Sequence, residues 1–256
     1  MSFPLIAAHR GGAGLWPENS LTAFRNAIRL PVDLIEFDVH RCKDGLLVVH
    51  HDPTLDRMTD GEGPLADKKW EELCSVTVNG TDGEPLPLLD EVISLIAPTD
   101  IDLRLEFKCR SDGSRYAGIE ADTIALLRET GMLRRTIFTS FHWDTLETAL
   151  SLASVRGAIA LMEKTAAAAP DDYAASLALV RAKAIPEIAV PGALMTSDSL
   201  ARARDMGLRA GAFGINTQDR ITAAFDLGAS AFTTDRPDWA LAEKEKRREA
   251  AQAISV

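Results

Sequence analysis

A chain of 256 residues with 46% hydrophobic positions can bury one large core, and its length is about that of a single (β/α)8 barrel. Its 38 acidic and 28 basic residues leave a formal charge of -10, which argues against nucleic acid or an anionic membrane surface as the main partner. Cys42, Cys74 and Cys109 are irregularly spaced and form no CxxC or Cys/His cluster, which argues against a disulfide framework or a zinc site.

From the amino terminus, MSFPLIAAHRGG lacks a basic n-region, and no stretch of about 20 apolar residues follows. The reading is a cytoplasmic protein with no stable membrane insertion. Short apolar runs fall at 5–8, 33–39, 46–50, 102–107, 136–140, 156–161, 185–190, 208–213 and 230–234. Amphipathic stretches at 20–30, 88–96, 120–130, 143–152, 171–183 and 197–206 lie between most of them, the pattern of repeated β-α units. Gly131, Gly207 and Gly228 stand where helices should end.

Nine strands are one too many for the barrel. Too few residues separate 33–39 from 46–50 for a parallel crossover, and Asp44-Gly45 is a hairpin signal. The third run is therefore expected to return antiparallel, leaving eight parallel strands in an α/β, TIM-type barrel. Residues 53–85 are turn-rich and fit no β-α unit, with one helical patch near 68–73. They are expected to form a small insertion over the carboxyl-terminal face of a single domain spanning 1–256. The carboxyl-terminal segment 241–252 reads as a charged, solvated helix.

Polar clusters fall at the ends of these strands, where barrel enzymes build their sites. Glu36 and Asp38 alternate by two and share a strand face. Paired carboxylates aimed into a barrel mouth call for a hard divalent cation such as Mg2+ or Ca2+, with Mn2+ also suited. Glu106 is the expected third ligand. If Asp44-Gly45 is a two-residue turn, Lys43 pairs with Leu46 and Asp38 lies opposite His51; a slip of one would bring up His50 instead.

His9, ending the first strand, and His51 then flank the metal. One neutral and one protonated imidazole suit general acid-base cleavage of a phosphodiester. Arg10 and Lys108 adjoin His9 and Glu106 closely enough to bind phosphate, provided the glycines after Arg10 let the chain turn. His40 and His142 read as structural.

The runs HRGGAGLWPENS, EFDV, KDGLLVVHHDPTLDRMTDG and LEFK, with TSF at 139–141 and the late GIN and TTDRPDW segments, resemble the glycerophosphodiester phosphodiesterase family. The resemblance implies a (β/α)8 barrel, a divalent metal, and hydrolysis of glycerophosphodiesters to an alcohol and sn-glycerol 3-phosphate. On matching positions it implies His9 and His51 as the acid-base pair, with Glu36, Asp38 and Glu106 as metal ligands. Arg10 and Lys108 would bind the phosphate. Where the family often has a Trp-Thr-Val-Asn run, this chain has Phe213-Gly214-Ile215-Asn216, so a large wall of the pocket is missing. A lysophospholipase D acting through the same residues, and a silent barrel that binds phosphorylated ligands, are the alternatives. Direct attack by water and prior formation of a cyclic phosphate both remain open.

Overall fold

A computed structural model describes residues 3–254. Its strands are β1 (Leu5–Ala8), β2 (Leu34–Arg41), β3 (Leu47–Val49), β4 (Asp102–Phe107) and β5 (Thr136–Ser140). They continue as β6 (Gly157–Leu161), β7 (Glu187–Pro191), β8 (Arg209–Phe213) and β9 (Ala231–Thr234). All but β3 run parallel, and β1 pairs with both β2 and β9, which closes an eight-stranded barrel. Strand β2 outlasts its neighbour: its first half joins the barrel, and its end pairs antiparallel with β3.

The helices are α1 (Leu21–Ala27), α2 (Trp70–Leu73), α3 (Leu89–Ile96), α4 (Ile119–Glu129) and α5 (Trp143–Leu152). After them come α6 (Lys164–Ala168), α7 (Pro170–Ala182), α8 (Ser197–Asp205), α9 (Gln218–Asp226) and α10 (Pro237–Ile254). Helix α9, between β8 and β9, buries Ile221, Ala224 and Phe225 along one face. Ser20, Thr196 and Thr217 cap α1, α8 and α9 with their hydroxyls, satisfying amides that have no partner within the helix. Gly131, Gly207 and Gly228 all take positive φ at helix ends, as their positions in the sequence suggest.

Alternation along the strands sorts side chains into two cores. Ile35, Phe37 and Val39 face outward and pack under the helices, with Phe37 edge-on to Phe24 of α1 at 5.9 Å between ring centroids. Ala7, Leu34, Ile137, Ile159 and Ala189 fill the barrel interior. Polar residues on this inner face therefore rise toward the carboxyl-terminal mouth.

The segment 53–85 is held by short bridges and by its own core, in which Leu55, Leu65, Leu73 and Val78 pack on Val48 of β3. Its Glu84 accepts hydrogen bonds from the Thr22 amide and hydroxyl, both at 2.8 Å, and pairs with Arg25. Arg57 bridges Glu18 and Asp52. The insertion is thereby fastened to the loops that follow β1 and β3, beside the mouth.

The hairpin differs from the two-residue turn expected of Asp44-Gly45. Cys42 pairs with Leu46 across a three-residue loop, the Gly45 amide donates to the Cys42 carbonyl, and Gly45 has φ +96. That is a type I turn followed by a left-handed glycine. The ladder shifts by one: Val39 faces Val49, and the His50 amide donates to the Asp38 carbonyl at 3.1 Å.

Candidate active site

Strand β1 ends at Ala8, and residues 9–11 turn sharply before the chain can continue outward. Arg10 sits at φ +51, a region that a side chain with a Cβ seldom occupies. Its amide donates to Glu36 Oε2 at 2.9 Å, and its guanidinium binds Glu18 at 2.8 Å and lies 3.4 Å from Asp38. These contacts hold the strained conformation and bring Arg10 to the same side as His9. Gly11 makes the turn possible: it has φ +81, and a Cβ there would lie 2.9 Å from the Ala23 methyl.

Glu36, Asp38 and Glu106 stand on neighbouring strands, with Asp38 in register with Glu106, and their ligand oxygens fall within 4.8 Å of one another. Asp38 is fully buried. Asn19 donates to its Oδ2 at 2.8 Å, and Lys108 Nζ lies 3.3 Å from Oδ1, which has no hydrogen-bond partner. Lys108 also donates to Glu106 at 2.7 Å. Burial, then the charges of Asp38 and Glu106, push Glu36 up to about 7. Burial opposes ionisation of Asp38, yet Lys108, His51 and Arg10 together hold it well below the usual carboxylate range. A crowded, oxygen-only set with one oxygen free of hydrogen bonds fits a hard divalent cation, because such an ion would remove the repulsion that raises Glu36.

Two imidazoles flank this set, each oriented by a carboxylate. His9 Nδ1 lies 2.5 Å from Asp235, and its Nε2 lies 3.9 Å from Glu36. Asp235 is fixed in turn by Asn216, which donates to one of its oxygens and accepts from its amide at 2.8 Å. His51 Nδ1 lies 2.6 Å from Asp52, itself paired with Arg57. An acceptor at Nδ1 fixes the tautomer and leaves Nε2 of each ring for chemistry.

His51 lines the cavity despite the shifted ladder. Strand β3 ends at Val49, so the alternation that would turn His51 away has lapsed two residues later. His50, directly opposite Asp38, instead has Nε2 3.0 Å from the Thr54 carbonyl. The buried ring of His40 accepts from the Tyr116 hydroxyl at 2.8 Å and donates to the His51 carbonyl at 3.0 Å. Burial drives its pKa down to about 3, so His40 stays neutral and supports the backbone of its neighbour.

Around these groups lies a cavity of about 180 Å³ lined by His9, Arg10, Glu36, His51, Glu106 and Lys108, with Phe141, Leu161 and Phe213 as an apolar wall. Phe141 and Phe213 meet edge to face at 5.6 Å, so the wall expected to be missing at residues 213–216 is supplied in part by Phe213 itself. The geometry thus gathers all seven residues singled out from the sequence.

The sequence profile of the glycerophosphoryl diester phosphodiesterase family matches residues 9–239. The chain belongs to this family. A glycerophosphodiester phosphodiesterase of Bacillus altitudinis is 30% identical over 249 residues, covering 95% of this chain and 99% of that protein. One from Caldanaerobacter subterraneus is 38% identical over 154 residues; the match spans 58% of this chain and 63% of that relative. A crystal structure assigned to the same family, from Agrobacterium tumefaciens, superposes with a TM-score of 0.90 at 31% identity, covering 96% of this chain and all of that one. A phosphodiesterase from Oleispira antarctica, in complex with its product sn-glycerol-3-phosphate, shares the fold with a TM-score of 0.81 at 22% identity and covers 95% of this chain and 97% of its own.

As a glycerophosphoryl diester phosphodiesterase, the chain is a phosphoric diester hydrolase. At the barrel mouth Arg10, Lys108 and Arg57 are each paired with carboxylates, among them Glu18, Asp38, Asp52 and Glu106. Sequence reasoning missed Asp235, Asn216, Asp52, Asn19 and Glu18 as partners of the site. Asp52 and Glu18 stand inside the HHDP and PENS runs. Asp235 is 226 positions from His9 and gives no spacing signal; the pairing of Ala8 with Thr234 makes the two neighbours.

Proposed function

We propose that this chain hydrolyses glycerophosphodiesters to an alcohol and sn-glycerol 3-phosphate, with His9 as general acid and His51 as general base. The observation that carries the reading is two carboxylate-oriented imidazoles flanking one carboxylate cluster in a single cavity. Burial lowers the pKa of His9, but Glu36 and the Asp235 hydrogen bond outweigh it, so the ring holds its proton above the ordinary histidine value. Burial prevails at His51, which is shifted down and is neutral near pH 7. Two like groups with opposite shifts form an acid and a base.

Glu36, Asp38 and Glu106 would hold a divalent cation (Mg2+, Ca2+ or Mn2+), which when bound supplies Lewis-acid polarisation of the phosphoryl oxygens. Arg10 and Lys108 orient the diester through its non-bridging oxygens. His51 Nε2 accepts the proton of the attacking oxygen, that of water or of the glycerol hydroxyl, as it bonds to phosphorus. His9 Nε2 donates to the departing alkoxide as the P–O bond breaks, so the proton count closes. When the glycerol hydroxyl attacks, water opens the cyclic phosphate in a further step with the two imidazoles in reversed roles. The barrel with its insertion acts as one catalytic unit. Three free thiols, one of them buried, support work in a reducing compartment such as the cytoplasm, and no described helix is long and apolar enough to cross a membrane.

The test is the identity of the products from glycerophosphocholine by phosphorus NMR. Sn-glycerol 3-phosphate and choline are expected. Phosphocholine and glycerol would mean cleavage of the other ester bond and would overturn the reading. A lysophospholipid substrate is the second reading, favoured only by the apolar wall of Phe141, Leu161 and Phe213.

The Asp235–His9 pair makes its own prediction. Asp235→Asn removes the charge that helps His9 keep its proton, so kcat should fall on the order of 10²-fold or more. The alkaline limb of the pH–rate profile should move to lower pH, because the acid form of His9 is then lost earlier. An unmoved alkaline limb would separate Asp235 from the acid.

A further inference from the structure

Arg104 of β4 belongs to none of the roles above. It is 1% exposed, and neither Nε nor Nη1 has a hydrogen-bond partner. Its charge is offset only through space, by Glu36, Glu187 and Glu106. A buried guanidinium with unsatisfied N–H groups is costly and is normally paired. Yet its side chain reaches the same cavity that His9 and His51 line.

Position decides what it can meet. Arg104 precedes Glu106 by two residues on β4 and is in register with Glu36 on β2, so it rises from the barrel floor on the same face as both ligands. At roughly 3.3 Å per residue its Cα lies about 6.6 Å deeper than that of Glu106. A phosphate bound between Arg10, Lys108 and the two histidines, as proposed above, would stand nearer the mouth than Arg104. The half of the diester that points inward then ends against unpaired N–H donors within a cavity of about 180 Å³. A small polyol offers acceptor oxygens there. An acyl chain would leave the donors unpaired and apolar carbon against a charge.

We propose that Arg104 binds the free hydroxyls of the glycerol half and thereby makes this chain select deacylated glycerophosphodiesters over lysophospholipids. The inference rests on the function proposed above. It assigns specificity to a residue outside the acid-base pair, the metal ligands and the phosphate-binding cations.

The experiment compares glycerophosphocholine with 2-hydroxypropyl phosphocholine, the same diester without the terminal hydroxyl but with the secondary one kept so that either nucleophile can act, in the wild-type enzyme, Arg104→Met and Arg104→Lys. The wild type should prefer the substrate with both hydroxyls, since a site built to bond a hydroxyl rejects the analogue that lacks it. In R104M the ratio of the two kcat/KM values should fall by about ten- to a hundredfold. R104K keeps the charge but loses the fork, so its ratio should fall less. Because Arg104 offsets Glu36, Glu187 and Glu106 through space, thermal unfolding is followed beside the rates, and R104K, which keeps the charge, should unfold near the wild-type temperature.

A ratio unchanged in both variants, or a large drop in Tm with parallel loss on both substrates, would overturn the proposal and make Arg104 a structural counter-ion. If the wild type cleaves neither diester, the function proposed above fails first, and calorimetric binding of sn-glycerol 3-phosphate against propyl phosphate then tests Arg104. Selective loss of glycerol 3-phosphate binding in R104M would uphold its role, and equal binding would refute it.

Discussion

Replacing His51 with alanine is expected to slow glycerophosphodiester hydrolysis by about 10²–10⁴-fold, the usual worth of a positioned general base, with the fold intact. The ring is partly exposed, its Asp52 partner keeps Arg57, and its carbonyl stays bonded to His40, so little structure depends on the imidazole. His50→Ala is the control. That ring lies against the Thr54 carbonyl, away from the cavity lining, so the change should affect stability more than turnover. Steady-state rates of both variants with matched circular dichroism check the pair. Near-normal turnover in H51A would remove His51 from the chemistry, and a larger loss in H50A would exchange their roles. The wild-type acid limb follows from the downward shift at His51: activity should persist below the ordinary histidine pKa and fall once His51 takes up a proton.

The second large effect is expected at the carboxylate cluster. Without a cation, Glu36 titrates near 7, well above its unfolded value, so its contribution to stability is present at low pH and is lost as pH rises through about 7. A bound divalent ion removes that penalty and must displace a proton to do so. The rise in Tm on adding Mg2+, Ca2+ or Mn2+ after chelation should therefore be larger at pH 8 than at pH 5. In Glu36→Gln this increment should shrink and lose its pH dependence, and metal-activated turnover should fall at least tenfold, the lower end expected when a ligand's charge is lost. Calorimetric scans with and without metal read the outcome. An unchanged increment in the variant would rule out Glu36 as a ligand.

Much of this site can be seen in the chain because strand alternation is strict. Glu36 and Asp38 must share a face, and Glu106 ends a run that can only be a neighbouring strand. The barrel follows from the same runs once the short connection at Asp44-Gly45 is recognised as a hairpin. Other features depend on local geometry that spacing does not encode. The loop takes Lys43 as well, so the ladder shifts by one, and His51 reaches the cavity because β3 ends early rather than through the register.

Asp235 and Asn216 escaped notice because the last strand meets the first only when the barrel closes. The interior of β4 reads as an ordinary strand, and nothing in LRLEFK tells that Arg104 is buried with its Nε and Nη1 lacking hydrogen-bond partners. The turn at Arg10 was foreseeable from its glycines; the left-handed φ of Arg10 itself was not.

The most direct test of the account is release of sn-glycerol 3-phosphate from glycerophosphocholine by enzyme stripped with EDTA, before and after adding back Mg2+, Ca2+ or Mn2+. No release by the stripped enzyme and recovery with at least one of these ions are expected. Full turnover in the presence of chelator, or none with any ion, would contradict the account.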